Sequence, residues 1–167
     1  MIDGRQDQEK LKEKVIAINR VAKVVKGGKR FSFNAIIVVG DLKGRVGHAL
    51  GKANDVSDAI RKGVGRARKE MIYVPLKNNT IPYAVSGHFG ASRVIIKPAV
   101  PGTGIVAGGP LRLILECVGV KDILTKTLGS HNHFNVVYAT FDALKKIKTE
   151  EVMLKIKGKV EVNNETK

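Results

Sequence analysis

The segment Phe31 to Val39 puts Phe31, Phe33, Ala35, Ile37 and Val39 on one side of an extended chain, directly after Lys26-Gly27-Gly28-Lys29. Alternation of this kind is what a strand with one buried face requires, and a glycine pair between two apolar stretches signals a tight turn. Before the turn stand Val15, Ile16, Ile18, Val21, Val24 and Val25, mostly β-branched residues that favour a pleated surface. Leu11, Val15, Ile18 and Val25 also fit a helical spacing, but the turn and the alternation beyond it favour a hairpin.

A second turn, Asp41-Leu42-Lys43-Gly44, leads into Arg45 to Ala53, where Gly47, Ala49, Gly51 and Ala53 share one face. Small residues in a row let a helix lie close against a strand. The spacing predicts that helix over Asp55 to Met71, with Asn54 or Asp55 as cap, acids Asp55 and Asp58 at its positive end, and an apolar stripe of Val56, Ile60, Val64, Ala67 and Met71. Three strands and a helix make a small α+β module, expected to span residues 15–74.

Val74-Pro75, Asn78-Asn79 and Ile81-Pro82 read as a connection. Residues 75–149 then form a second α+β unit with its own expected core. It has a strand over Arg93 to Pro98, a glycine-rich loop from Pro101 to Pro110, and a helix with Leu111, Ile114, Leu115 and Val118 buried and Gly119 closing it. A strand or turn within Lys121 to Ser130 and a last helix near Asn135 to Ile147 complete the unit. Residues 1–14 are expected to be loose and 150–167 to be a mobile tail.

Charge narrows the function. The chain holds 30 Lys and Arg against 15 Asp and Glu, a net charge of +15. Residues 1–75 carry 17 basic and 8 acidic side chains, residues 76–149 carry 9 and 3, and residues 150–167 carry 4 and 4. The excess lies on the two folded units and suits a polyanion, nucleic acid before an anionic membrane, since there is no Trp and the five Phe are scattered. The start of the chain lacks the apolar stretch of a signal peptide, no run is long enough for a membrane span, and the single Cys117 suits a reducing compartment.

Two local features carry the binding reading. Between Glu13 and Asp41 there is no acid, while Lys14, Arg20, Lys23, Lys26, Lys29 and Arg30 all fall there. Gly27 and Gly28 at the tip let the backbone approach phosphate. On the predicted helix, Arg61, Lys62, Arg66 and Lys69 gather with no acid between Asp58 and Glu70, a like-charge face tolerable opposite a phosphate backbone. Arg45, Lys52, Arg93 and Lys97 extend the candidate RNA-binding set.

Catalytic readings find little material. The loop Gly102 to Gly109 is followed by Pro110-Leu111 rather than by the lysine and hydroxyl of a phosphate-binding loop, so it reads as a tight structural turn. His131 and His133 lack the further ligands a zinc site needs, and Cys117 reads as a core filler. Only Glu116, Asp122 and Asp142 supply carboxylates between Met71 and Thr149. No catalytic residue, cofactor, metal or small-molecule substrate is therefore expected.

The stretches Val24-Val25-Lys26-Gly27-Gly28-Lys29-Arg30-Phe31-Ser32-Phe33, Val39-Gly40-Asp41, Gly44-Arg45-Val46-Gly47 and Gly51-Lys52-Ala53 resemble the bacterial family of small-subunit ribosomal protein five. So do Pro98-Ala99, Gly102-Thr103-Gly104-Ile105, Ala107-Gly108-Gly109 and Asn135-Val136-Val137, and the resemblance runs from about Leu11 to Ile147. It implies an N-terminal domain like those that bind double-stranded RNA and a C-terminal βαβ domain with a left-handed crossover. It further implies a structural role in the small ribosomal subunit, with 16S ribosomal RNA and ribosomal proteins four and eight as partners. Messenger RNA would pass nearby at its entry site, and the chain would support assembly and decoding accuracy. By the same resemblance the Lys26–Lys29 turn approaches the spectinomycin region of the RNA, and Gly104 and Arg112 lie toward protein four. Tyr138 stands where the family has arginine, and His131 to Phe134 replace a proline-containing turn.

The expected function is therefore that of a cytoplasmic, ribosomal RNA-binding protein and not an enzyme. Two other classes compete: a small phosphotransferase using the glycine loop, which ATP-dependent stabilisation would reveal, and a double-stranded-RNA binder outside the ribosome, which sedimentation would reveal.

Overall fold

The computed structural model describes residues 11–148; the expected loose residues 1–10 and the tail over 150–167 lie outside the described residues. Strand β1 (Lys12–Val25) turns through Lys26 and Gly27 into β2 (Gly28–Gly40), and β3 (Arg45–Ala53) follows. Helix α1 (Val56–Lys69) then leads into a short β4 (Ile72–Tyr73). The four strands form one antiparallel sheet in the order β1-β2-β3-β4. β1 begins at Lys12, so the strand takes in residues that the sequence reading left loose. A register shift between Val15 and Ala17 explains the ambiguous apolar spacing of this segment. One extra residue in a strand breaks the period of two.

The small-residue face of β3 does what its composition predicts. A Cβ on Gly47 would run into the Ala67 carbonyl, and one on Gly51 into the Ala59 carbonyl. α1 thus lies directly on the strand, and its buried residues are Ala59, Gly63 and Ala67; of the expected stripe Ala67 is fully buried, while Ile60 and Val64 are only partly so. Close backbone approach leaves room for little beyond a methyl group. Asp55 is the N-cap residue through its backbone; its side chain makes no capping hydrogen bond.

The second unit comprises β5 (Val85–Phe89), β6 (Ser92–Pro98), β7 (Ile105–Val106), α2 (Gly109–Val118), β8 (Ile123–Gly129) and α3 (His133–Lys145). Its sheet runs β5-β6-β8-β7, antiparallel except for the pairing of β7 with β8. A parallel pair needs a crossover, which α2 supplies, so β7-α2-β8 is the βαβ element. Pro110 sits in the first turn of α2, and Gly119 ends it in the left-handed conformation (φ 92°). α3 covers one face of the sheet, where a Cβ on Gly87 would meet the Ala139 carbonyl. Its N-cap Asn132 accepts a 3.0 Å hydrogen bond from Phe134 N.

The two units do not keep separate cores. Ile36, Val38 and Val46 from the first sheet join Leu115, Cys117, Val118 and Phe141 from the second unit in one buried cluster. Leu42 N donates to the Cys117 carbonyl (3.2 Å) and Gly44 N to the Val118 carbonyl (2.9 Å). Cys117 is fully buried at this seam, which pushes its thiol up to about 11, so it stays protonated and inert. The first sheet is therefore covered on both faces, by α1 and by α2.

Candidate nucleic-acid interface

The hairpin of β1 and β2 continues beyond the last β3 partner, the Phe33–Ala53 pair, and its outer residues are mostly exposed. Gly27 takes a φ of +97°, and nothing stands within 4 Å of a Cβ built on Gly27 or Gly28. The turn is thus open to an incoming group, and a side chain at Gly27 would be strained. Strand register divides the expected cations between two faces. Arg20 and Lys29 share a face with Val24, Phe31 and Phe33, and the Arg20 guanidinium lies 3.8 Å from the centre of the Phe31 ring. Lys23 and Arg30 stand directly opposite each other on the other face, together with Asn19, Ser32 and Asn34. Lys26 sits at the tip.

The helix cations also divide. Lys62, Arg66 and Lys69, at i, i+4 and i+7, line an open groove of about 660 Å³ with Leu50, Gly51 and Lys52 of β3 and with Gly65 and Glu70. Arg66 Nη1 donates to the Leu50 carbonyl at 3.2 Å, which orients the guanidinium along the strand. Arg61 is not part of the lining; it pairs with Asp58 at 2.8 Å one turn away. Arg68 reaches Glu13 of β1 at 2.7 Å and ties helix to sheet. Arg45 pairs with Asp41 at 3.1 Å, where Asp41 also accepts 2.8 Å hydrogen bonds from the amides of Lys43 and Arg45.

Arg93 and Lys97 lie elsewhere, on the face of the second sheet opposite α3. There Lys97 and Lys126 border a shallow hollow of about 210 Å³ with Ile95, Leu124 and Thr125. The sequence reading passed over Lys126, although it shares with Leu124 and Leu128 the exposed face that alternates with Thr125 and Thr127. It also passed over the amides of the hairpin, because polar residues within a strand look like ordinary solvated positions until the register is known.

The glycine loop is closed on itself. Gly102 N and Gly104 N both donate to Asp122 Oδ1 at 2.9 Å, and Gly104 has a φ of +75°. Backbone amides that converge in this way would suit a phosphate, but a carboxylate of the chain occupies them. Arg112, in the first turns of α2, donates to Glu116 at 3.3 Å, and Glu116 also pairs with Lys12 of β1 at 3.7 Å. Gly104 and Arg112 therefore flank the β7–α2 connection. Among the described residues no three His, Cys, Asp or Glu side chains stand together as metal ligands, and no helix is long and apolar enough to cross a membrane.

Residues 11–75 match the family described as ribosomal protein S5, N-terminal domain, and residues 87–157 the one described as ribosomal protein S5, C-terminal domain. The chain belongs to the ribosomal protein S5 family. The small ribosomal subunit protein uS5 of Syntrophobacter fumaroxidans is 54% identical over 159 residues, which cover 95% of this chain and 96% of that protein. The protein of the same name from Treponema denticola is 52% identical over 157 residues, covering 94% and 91%. Within the S5 fold, Tyr138 enters an aromatic row: its ring stacks on Phe89 with centroids 4.8 Å apart and meets His48 edge-on at 5.1 Å, while His48 lies 3.9 Å from Phe141. Tyr138 thus packs against His48 of the first unit and Phe89 of the second, across the seam between them.

Proposed function

We propose that the chain holds 16S ribosomal RNA through the hairpin and the cationic groove, as two anchoring points on one rigid sheet. As a member of the S5 family it is a structural, non-enzymatic constituent of the small ribosomal subunit, found in the ribosome in the cytoplasm. The observation that carries the finer reading is the convergence of Lys52, Lys62, Arg66 and Lys69 on one groove. Four cations gathered there repel one another in the free chain, and phosphates relieve that repulsion while releasing counterions. Lys23, Lys26 and Arg30 extend the contact to the hairpin tip, and Arg93 and Lys97 add a separate contact from the second unit. Arg61 and Arg45, each held by an acid, are secondary contributors.

In this reading residues 15–74 are the RNA-anchoring domain and residues 75–149 the domain that meets neighbouring proteins. Gly104 and Arg112, on either side of the β7–α2 connection, form the contact with ribosomal protein four, through which decoding accuracy is influenced. Protein eight and the messenger entry path lie close by. The phosphotransferase alternative loses its footing because Asp122 fills the amide cradle that a nucleotide would need.

A sucrose gradient of cell lysate, probed fraction by fraction for this chain, tests the role. The expected result is a peak with the small subunit that survives a salt wash, weakened at raised salt when Lys62 and Arg66 are both replaced by Ala. A peak at the top of the gradient would overturn it.

A further inference from the structure

We infer that the amide-bearing face of the hairpin recognises ribose 2′-hydroxyl groups of the bound RNA. The inference rests on the RNA-binding reading and adds to it the chemical group that is read. Register places Asn19, Asn34 and Lys52 side by side in one cross-strand row. The next row outward is Val21 and Ser32, and Ser32 Oγ donates to Asn54 Oδ1 at 3.3 Å. Beyond it stand Lys23 and Arg30. The row just inside, Ala17, Ile36 and Leu50, belongs to the shared core. The polar rows therefore begin where the apolar seam stops, and they end at the cations that would hold phosphates.

One atom shows that the face is incomplete within the chain. Asn34 Oδ1 is buried and accepts no hydrogen bond from any group of the described chain. Buried polar atoms nearly always have partners, and an acceptor left without one points to a donor supplied from outside. Its row neighbours Asn19 and Lys52 are both exposed, so a donor reaches it by displacing a flexible side chain and not by opening the sheet.

The chemistry selects the ribose. Cations at the border fix a sugar–phosphate backbone, and the sugar hydroxyl is then the nearest group that both donates and accepts. Asn and Ser side chains do the same. Readers of unpaired bases stack them on aromatic rings, but Phe31 and Phe33 occupy the opposite face of this hairpin.

Small subunits reconstituted with the wild-type chain, with Asn19→Ala or with Asn34→Ala provide the test, using 2′-hydroxyl acylation to map riboses and dimethyl sulfate to map base edges. A short group of riboses protected by the wild-type chain should gain reactivity by roughly threefold or more in both variants, the effect of losing one hydrogen bond. The melting temperature of the free Asn34→Ala chain should change little or rise, because the buried Oδ1 lost with the carboxamide has no partner within the chain. Unchanged ribose reactivity in both variants, protection confined to base edges, or a sharp fall in the melting temperature would each overturn the inference while leaving RNA binding intact. Failure of the wild-type chain to enter the subunit would overturn the functional reading beneath it as well.

Discussion

β2 and β6 are each interior strands of four-stranded sheets, yet they are buried in different ways. In β2, Ala35, Ile36, Ile37, Val38 and Val39 are all fully inaccessible. In β6, Val94 and Ile96 are inaccessible, whereas Arg93 and Lys97 are exposed and Ile95 is half-buried. The first sheet has a helix on each face, α1 from its own unit and α2 from the other; the second has α3 on one face and an open surface opposite. A strand covered on both sides reads as an unbroken aliphatic run, and one covered on a single side alternates. The difference teaches that the N-terminal unit borrows half its cover from the C-terminal one. The anchoring hairpin is thus an extension of the most deeply buried strand in the molecule, and this gives a rigid base to a feature that would otherwise flex.

The largest expected effect comes from crowding the α1 face. Gly51→Val should cost about 3 kcal/mol or more, because a Cβ there runs into the Ala59 carbonyl and stands 2.8 Å from Gly63 N, neither of which a side-chain rotation can relieve. Its counterpart is Gly65→Ala on the exposed side of the same helix, where an added Cβ meets nothing within 4 Å. That change should raise stability by roughly 0.5–1 kcal/mol through helix propensity. Urea midpoints of both variants decide whether the close approach of α1 is real.

Next in size is the contrast between the central strands. Ile36→Ala should cost about 2–5 kcal/mol as a fully buried aliphatic truncation, whereas Ile95→Ala on the open face should cost under about 1 kcal/mol. Because Ile36 sits in the shared core, Ile36→Ala should still unfold in one transition followed by circular dichroism. Two resolved transitions would break the claim that the units fold as one.

Much of this architecture was legible in the sequence, for identifiable reasons. The alternation from Phe31 to Val39 and the small residues from Gly47 to Ala53 report local geometry, and the hairpin and the α1 contact followed from them. The burial of Ile36 and Val38 was not legible, because alternation names one buried face and the cover for the other arrives with α2, far along the chain. β7 pairs through two residues only, too few to set a period. The separation of Arg61 from Lys62, Arg66 and Lys69 was available in principle from the helical repeat, since neighbouring residues point about 100° apart. What no pattern could give was Glu13 as the partner of Arg68, or the pairing of Asn19 with Asn34 across the hairpin, since both depend on which side chains the fold brings together.

The smallest effect concerns the seam itself. His48 has a pKa lowered to about 4, first by burial among Tyr138, Phe141 and the sheet, then by the positive charge of Lys145, with Glu70 opposing. The folded chain therefore keeps a neutral imidazole, while the unfolded chain binds a proton near the ordinary value of 6.5. Stability from this group is fully present above pH 6.5 and is lost as the pH falls toward 4, because in that window the unfolded state takes up more protons. Carboxylates contribute acid sensitivity of their own, so the useful quantity is the difference between the wild-type chain and His48→Gln, which has no titrating ring. Between pH 7 and pH 4.5 the wild-type melting temperature should fall further than that of the variant by roughly 2–4 °C, the shift that about 1 kcal/mol produces in a chain of this size, since solvent screening of a partly exposed ring takes away about half of the full linkage effect. Equal falls would mean that the ring is solvated and that the two units meet more loosely at Tyr138 than the close packing of the β2 face would require.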